Sequence, residues 1–345
     1  MNALLVNQPR VIGVDIGGAN LKYACSDDEI ALAGTFAMWR RPDDLSSALE
    51  QDLATLGGNR VLAVTMTGEL ADCFVDRQEG VQHIVRHVQR AASSLSIETV
   101  LFYGVDGEFY IADDAIEKTD LIAAGNWHAL ANFVGQKVQA DALLVDIGST
   151  TTDIIPIAKG CVATKAKTDF DRLLEGSLVY LGCRRTPVCG VVDRLTFHGQ
   201  IVPVMNELFA TMDDASLVLG KTRPNADDTD SADGKPRTVE FAANRLARMI
   251  GLDRRSVSVD EAIDLARQVV AAASEQISQA ISRSSVNVDH VPIVQSGHGH
   301  ELYDLSALGL SPNHTAIDLS DSIGKEASRA APAYAVAKLL AYRLK

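Results

Sequence analysis

Two short segments of the chain place an aspartate before a turn of glycines and small polar residues. Residues 14–20 read VDIGGAN and residues 145–151 read VDIGSTT, and each follows an apolar run typical of a buried strand. Successive backbone N–H groups in such a turn can bind an anion without any side-chain charge. We therefore expect a phosphate-binding turn in each half of the chain, with positive φ angles at Gly17, Gly18 and Asn20.

Side chains of the two turns extend this predicted site. The second turn adds hydroxyl donors, and Asp15, Asp146 and Asp153 supply hard oxygen ligands suited to Mg²⁺. The predicted phosphate-binding residues are Asp15, Gly17, Gly18, Asn20, Gly148, Ser149, Thr150, Thr151 and Thr152. The competing interpretation is two ordinary β-hairpins with glycine turns, which the matching aspartates and a third glycine loop disfavour.

That third loop, residues 296–300 with the sequence SGHGH, follows another apolar strand. Gly297 and Gly299 would let the backbone approach a substrate or nucleotide closely. His298 and His300 lie two positions apart, with no third metal ligand evident nearby.

A second histidine pair lies on a predicted helix. His83 and His87 have i, i+4 spacing, but the H-E-x-x-H pattern of a zinc-dependent hydrolase is absent. The sequence therefore disfavours a metal at this pair, as it does at the pair in the third glycine loop.

Arg184 and Arg185 form the main basic spot of an acidic chain. Guanidinium groups pair with phosphate or carboxylate through two parallel hydrogen bonds, so these arginines are predicted to bind substrate or nucleotide. The alternative is pairing with Glu175 or another nearby acid.

The elements that must position these residues alternate between strands and helices, which indicates an α/β protein. The repeated strand–turn–strand pattern predicts a first lobe over residues 1–140 and a second over 141–345. A helix over residues 331–344 is predicted to pack back on the first lobe. Residues 223–239 are rich in Asp, Pro, Gly and Ser and predict a mobile surface loop.

Composition narrows the class of protein. Among 345 residues, 32 Lys and Arg stand against 45 Asp and Glu, a net charge of -13 that disfavours nucleic-acid binding. Five cysteines without a CxxC pair disfavour a disulfide framework or a four-cysteine zinc site. No apolar run is long enough for a membrane span, and the start does not resemble a leader. We expect a cytoplasmic protein with a small phosphorylated substrate; self-association stays open.

The order of these motifs resembles the superfamily of actin, sugar kinases and heat-shock chaperones, with its ribonuclease H-like fold. The segment GSTTTD at residues 148–153 resembles its hydantoinase A/oxoprolinase branch. Residues 11–22, 66–74, 143–157 and 173–188 resemble, more narrowly, the branch linked to tetrahydromethanopterin and methanofuran one-carbon pathways. The resemblance spans nearly the whole chain. It implies two lobes with duplicated mixed sheets and a ligand cleft between them.

The resemblance also implies an activity. A synthase of this branch joins an aminomethyl-furanylmethyl diphosphate to the phenol oxygen of tyramine or glutamyl-tyramine and releases diphosphate, with Mg²⁺ at the phosphates. The alternatives are an ATP-dependent hydantoinase-like hydrolase or small-molecule kinase, and a non-catalytic nucleotide-binding sensor.

Attack by a phenol requires a base or a nearby cation, because its pKa is about 10. The candidates are Lys22, Glu69 and Asp72. Each has a structural alternative: a solvated strand residue for Lys22, a helix N-terminal acid for Glu69, and a solvated surface acid for Asp72. Cys73 is expected to be a small buried residue rather than a nucleophile.

Overall fold

The computed structural model describes residues 10–27, 30–57, 60–284, 290–299, 302–303, 308, 310–311 and 314–345. The strands are β1 Arg10–Ile16, β2 Asn20–Cys25, β3 Ala31–Thr35, β4 Arg60–Met66, β5 Thr99–Tyr103, β6 Phe109–Tyr110, β7 Ala142–Ile147, β8 Thr152–Ala158, β9 Cys161–Val162, β10 Leu178–Val179, β11 Arg194–Phe197, β12 Gln200–Pro203, β13 Ile293–Ser296 and β14 Ala316–Asp318.

The helices are α1 Leu45–Thr55, α2 Arg77–Ser94, α3 Ala112–Glu117, α4 Thr119–Ile122, α5 Asn126–Lys137, α6 Asp169–Glu175, α7 Met212–Val218, α8 Val239–Arg248, α9 Val259–Ser282, α10 Leu319–Ile323, α11 Lys325–Arg329 and α12 Ala331–Arg343. Short 3-10 turns form at Pro42–Asp44 and Val188–Gly190. The predicted alternation of strands and helices is confirmed.

Chain contacts divide the described residues into two compact units. Unit 1 contains the residues up to 142 together with 156–172 and 318–345, and unit 2 contains 143–155 and 173–317. Residues 156–172 and 318–345 therefore group with the first part of the chain. The predicted lobes, 1–140 and 141–345, would instead place both segments in the second lobe.

Unit 1 is built on a mixed sheet with the strand order β3-β2-β1-β4-β5-β6. Strands β1, β4 and β5 are parallel, and β2 returns antiparallel to β1. Alternate residues of β1, including Ile12, Val14 and Ile16, join an apolar core with α1 and α2. The other face of the sheet is covered by α12, which packs on β1, β4 and α5. Both faces are buried, as is usual for parallel strands.

Unit 2 is built on a second mixed sheet with the order β10-β8-β7-β13-β14, in which β7 and β13 are parallel. Its apolar core joins β7 to α7, α8 and α9. The predicted capping box at the start of α9 is confirmed, because Ser258 and Glu261 accept from each other's backbone N–H. The predicted duplication of mixed sheets, each with a hairpin and a neighbouring parallel strand, is confirmed.

Candidate active site

The first predicted phosphate turn joins β1 to β2 in unit 1. The N–H of Gly17 donates to the carbonyl of Asn20 at 2.9 Å, which closes the turn. The carbonyls of Gly18 and Ala19 accept from the backbone N–H groups of residues 38 and 36. Within the described chain the N–H groups of Gly18 and Ala19 reach no acceptor, so they remain available to an anion.

The sequence-based prediction of positive φ angles at Gly17, Gly18 and Asn20 is wrong. None of the three residues adopts a positive φ, so the turn forms without the left-handed backbone region. A Cβ built on Gly18 would meet no atom within 4 Å, so this position leaves open space beside the N–H groups.

The second predicted turn, between β7 and β8, repeats this geometry in unit 2. Gly148 donates its N–H to the carbonyl of Thr151, again at 2.9 Å. The N–H groups of residues 149–151 reach no acceptor among the described residues, and their side chains are half-buried. The carbonyl of Gly148 accepts from Cys183, and that of Ser149 accepts from both Arg184 and Arg185. The N–H groups of residues 183–185 therefore hold the second turn through its carbonyls, so its own N–H groups stay available.

Thr152 does not fit its predicted role as a phosphate ligand. Its side chain is fully buried, and its hydroxyl donates to the carbonyl of Leu181 at 2.7 Å. The hydroxyl fastens β8 to the segment that supports the turn, so the structure corrects this assignment. Ser149, Thr150 and Thr151 keep half-buried hydroxyls.

Asp15 lies at the carboxyl end of β1, in the interior of unit 1. Burial raises its pKa to about 6, against the opposing effect of Lys22, which is its register partner on β2. The Oδ1 atom of Asp15 and the hydroxyl of Thr65, its register partner on β4, are both buried, and neither has a hydrogen-bond partner in the described chain. Buried polar atoms without partners point to a ligand or ion beside these strand ends.

Glu69 lies just after β4, next to the first turn. Its Oε1 accepts from the N–H of Ala124 at 3.0 Å, whereas the buried Oε2 has no donor in the described part of the chain. Burial raises the pKa of Glu69 to about 7, and the negative charge of Asp169 acts in the same direction. Ala124 has a φ of 51°, an uncommon left-handed conformation that aims its N–H at this carboxylate.

The other two catalytic candidates differ from Glu69 in their surroundings. Lys22 is half-buried beside Asp15, and Asp72 is exposed. Among the three, Glu69 combines burial, an unpartnered oxygen and a raised pKa, which is the combination that a general base near neutral pH requires.

The third glycine loop packs on the end of β7 in unit 2. Gly299 donates its N–H to the carbonyl of Ile147 at 2.9 Å, and a Cβ on Gly297 would lie 2.7 Å from Oδ1 of Asp146. Asp153 is buried on β8. His300 lies outside the described residues. Asp15 belongs to unit 1 and the other two predicted magnesium ligands to unit 2, so a shared ion stays a prediction.

Arg184 has acidic partners that are distant in sequence. Its Nη2 lies 3.1 Å from Oδ2 of Asp228 and 3.4 Å from Oδ2 of Asp230, whereas Arg185 is exposed. The sequence predicts a mobile loop over residues 223–239, yet the structure places its carboxylates against arginines. Asp228 also contacts Arg237 of the same segment at 3.1 Å. Arg237 in turn contacts Asp213 on α7 at 2.6 Å, which links the segment to the body of unit 2.

Sequence reasoning missed a buried arginine in unit 1. Arg172 on α6 is 2% exposed, and its guanidinium carbon lies 4.2 Å from the ring centre of Trp127. Nε1 of Trp127 is buried without a hydrogen-bond partner among the described residues. The sequence does hold a signal, an arginine within the helix-forming run DFDRLLE, but its burial depends on α5, which is distant in the chain.

Within the described residues, no helix combines the length and the apolar character needed to cross a membrane.

Comparisons with known proteins agree with the motifs. The hydantoinase/oxoprolinase family model matches residues 60–342. A protein of Methanocaldococcus jannaschii is 34% identical over 336 residues, 97% of this chain and 98% of its own. It is named (4-{4-[2-(gamma-L-glutamylamino)ethyl]phenoxymethyl}furan-2-yl)methanamine synthase. A protein of Methanococcus vannielii with the same name is 35% identical over 61% of this chain and 95% of its own.

The chain therefore belongs to the hydantoinase/oxoprolinase family, and the resemblance seen in GSTTTD is confirmed. Both curated relatives are named as synthases, which are enzymes. Among solved structures, nucleotide-free acetone carboxylase superposes with a TM-score of 0.52 at 11% identity. That match covers 95% of this chain and 70% of the other, and it supports the predicted fold class.

Proposed function

We propose that this chain is an ether-forming synthase of the kind named for its two methanogen relatives. The observation that carries the proposal is the 34% identity that extends over 97% of this chain and 98% of the relative. Conservation of the whole length favours a shared reaction over a shared nucleotide-binding fold alone.

The reaction that we assign is a substitution at an activated carbon. The phenol oxygen of tyramine or glutamyl-tyramine forms a C–O bond to the methylene of an aminomethyl-furanylmethyl diphosphate. The bond from that methylene to the diphosphate oxygen breaks, and diphosphate leaves with the electron pair. The phenol proton passes to a base on the enzyme, so the products are the aryl ether, diphosphate and a protonated side chain.

The phosphate turns are the groups that we assign to the diphosphate. The N–H groups of residues 18–19 and of residues 149–151 have no acceptor among the described residues, so each turn can accept oxyanions. Asp15 fits Mg²⁺ because its buried Oδ1 lacks a donor in the described chain, and Asp146 and Asp153 are the corresponding carboxylates of unit 2. Bound Mg²⁺ would neutralise negative charge on the leaving diphosphate.

Glu69 is the side chain that we assign to the phenol proton, with Lys22 and Asp72 as the less favoured candidates. Its Oε2 has no donor in the described part of unit 1, and its pKa of about 7 lets it take a proton at neutral pH. We assign substrate contacts to Arg184, Arg185, Gly297 and Gly299. The exposed Asp230 is a weak partner of Arg184 that a substrate carboxylate would replace.

The family match also supports a second candidate, an ATP-dependent hydantoinase-like hydrolase or kinase. The turns would then hold the phosphates of ATP rather than a diphosphate substrate. This alternative predicts ADP formation that depends on a cyclic amide or another small acceptor, and no diphosphate release.

The deciding experiment incubates the purified chain with the furanylmethyl diphosphate, tyramine or glutamyl-tyramine, and Mg²⁺. We expect the ether by mass spectrometry and one diphosphate per ether formed. Folded protein that yields no ether contradicts the synthase assignment, and ADP production with an amide-ring substrate supports the hydrolase. An Asp15→Ala variant with full activity would contradict the role of the first turn.

A further inference from the structure

Unit 1 contains a second group of chemistry-bearing side chains, away from the strand ends that carry Asp15 and Glu69. Asp43 lies in the 3-10 turn before α1, and His83 and His87 lie one turn apart on α2. One ligand atom from each side chain falls within 4.8 Å of the other two. The two imidazole rings are stacked, with ring centres 4.1 Å apart. The sequence disfavours a metal here because the H-E-x-x-H pattern is absent. Asp43 as a third donor becomes visible only in the structure.

These three residues line a pocket of about 490 Å³. The other lining residues are Glu79, Gln82, Arg86 and Arg90. His87 is buried at 6% exposure, so its ring is largely shielded from water. An ion held by the three donors would keep a coordination position open toward the pocket, where the two arginines favour an anionic or water-derived ligand.

Hydrogen bonds to the backbone orient both imidazole rings and determine which nitrogen of each ring carries the proton. Nε2 of His83 lies 3.0 Å from the carbonyl of Pro42, an arrangement that orients metal-bound histidines in many proteins. Nδ1 of His87 accepts a long bond of 3.2 Å from the N–H of Ser46, in the first turn of α1. If His87 coordinates the metal through Nδ1, the metal takes the lone pair that now accepts from Ser46. If it coordinates through Nε2, the proton must move from Nε2 to Nδ1. In either case the N–H of Ser46 loses its acceptor, so metal and helix cap compete for the ring.

We propose that Asp43, His83 and His87 form a binding site for a divalent transition ion of the Zn²⁺ or Co²⁺ type. Two imidazoles with one carboxylate favour such ions over Mg²⁺ or Ca²⁺, which prefer oxygen donors. The site is separate from the carboxylates assigned to Mg²⁺ and does not depend on the proposed synthase activity.

The ion would act on the first phosphate turn through the backbone. The carbonyls of Gly18 and Ala19 are held by the N–H groups of Met38 and Phe36, each at 2.9 Å. Asp43 follows these residues closely in the same segment. A metal bound by Asp43 and the two histidines of α2 would therefore restrain residues 36–43. The N–H groups of Phe36 and Met38 in this segment hold the first phosphate turn.

The test is titration of chelator-treated, full-length protein with Co²⁺ in excess Mg²⁺, followed through the visible absorption of bound Co²⁺ and competition with Zn²⁺. We expect one ion per chain. Asp43→Asn and His83→Gln should each weaken binding at least about tenfold. His198→Gln should leave it unchanged, because His198 lies in unit 2 and contacts Glu261.

Absence of Co²⁺ uptake, or wild-type affinity in either cluster variant, overturns the proposal and leaves His87 as a cap of α1. Circular dichroism monitors folding of the variants. Asp43 is exposed, so Asp43→Asn decides the question if His83→Gln fails to fold.

Discussion

Glu69 and Asp15 are buried carboxyl groups, and one oxygen of each meets no donor in the described part of unit 1. A carboxylate in this position is costly, because burial removes the water that stabilises its charge. The raised pKa values, about 7 and about 6, express that cost. Such groups concentrate at sites of chemistry, where a ligand supplies the missing interaction.

Replacing Glu69 by Gln tests the base directly. Gln retains an oxygen that can accept from Ala124 but takes no proton. We therefore expect kcat to fall by about 10²-fold or more. In the wild type, the rate should rise with pH through about 7, because the base must lose its proton first, and this limb should vanish in the variant. The measurement is ether formation across pH.

Asp72→Asn is the matched control for Glu69→Gln, since Asp72 is exposed in the same loop region. Its activity and pH profile should stay close to wild type. A large loss in Asp72→Asn with little change in Glu69→Gln would transfer the assignment to Asp72.

The same raised pKa has a consequence for stability. Between pH 4.5 and about 7 the unfolded chain releases the Glu69 proton before the folded chain does. The folded state then binds more protons, so the free energy of unfolding falls as pH rises through this window. Across this window the ionisation of Glu69 lowers the free energy of unfolding by on the order of 3 kcal/mol. Urea denaturation should show a flatter pH dependence for Glu69→Gln, and an unchanged slope would argue against the raised pKa.

At the residue scale, the sequence predicts groups that follow from local pattern and misses groups that depend on distant contacts. Asp15 and the turn at Gly17 are visible because an apolar strand ends in small residues. The hydroxyl of Thr152 looks free in the sequence, since its acceptor at Leu181 lies on a later segment. Arg172 is missed for the same reason, because α5 supplies the ring that covers it.

At the scale of elements, buried ion pairs hold α7, α8 and the acidic segment 223–239 together. Arg245 on α8 is fully buried and contacts Asp214 of α7 at 2.7 Å and Asp233 at 2.9 Å. Arg237 pairs with both oxygens of Asp213. Composition alone predicts a mobile loop here, because the segment is rich in Asp, Pro, Gly and Ser and has no apolar periodicity. Its order comes from charge pairing in the interior, which local composition does not reveal.

Removing one partner of this network should destabilise unit 2 strongly. Asp214→Ala removes one of the two carboxylate partners of the buried Arg245. It also removes one bond of the capping box of α7, in which Asp214 accepts from the N–H of Thr211. We expect a loss of about 3–5 kcal/mol in the free energy of unfolding. Asp230→Ala is the control, since that carboxylate is 85% exposed and should change stability by less than about 0.5 kcal/mol. Equal effects of the two variants in urea denaturation would contradict this account.

At the scale of the whole molecule, each compact unit is assembled from segments that are distant in the sequence. The repeated hairpins allow the sequence to predict two related parts, over residues 1–140 and 141–345. Chain contacts divide the described residues into two units whose bounds differ from these. The sequence predicts that a helix over residues 331–344 packs back on the first lobe. The membership of residues 156–172 in unit 1 could not be predicted, because it depends on long-range packing. In the structure, helix α12 contacts β1, β4 and α5 of unit 1.

The contact between α12 and β1 depends on Gly13. A Cβ on Gly13 would lie 1.8 Å from the carbonyl oxygen of Ala333, so the helix would have to move. We expect Gly13→Ala to lower the free energy of unfolding by about 2–3 kcal/mol or more. In Gly190→Ala the new Cβ meets nothing within 4 Å, and stability should change by less than about 0.5 kcal/mol. Thermal denaturation of the two variants compares them, and a Gly13→Ala protein as stable as wild type would refute the close contact.

The position of α12 also sets an order of events during synthesis. Unit 1 draws the strands of its six-stranded sheet from the residues before 142 and the helix that covers this sheet from residues 331–343. At translation rates of about 5–20 residues per second, the roughly 200 residues in between take about 10–40 s to make. For that interval the face of β1 around Gly13 has no helix to cover it. We therefore expect the first unit to expose apolar surface on this face during synthesis and to lose that exposure once α12 has been made.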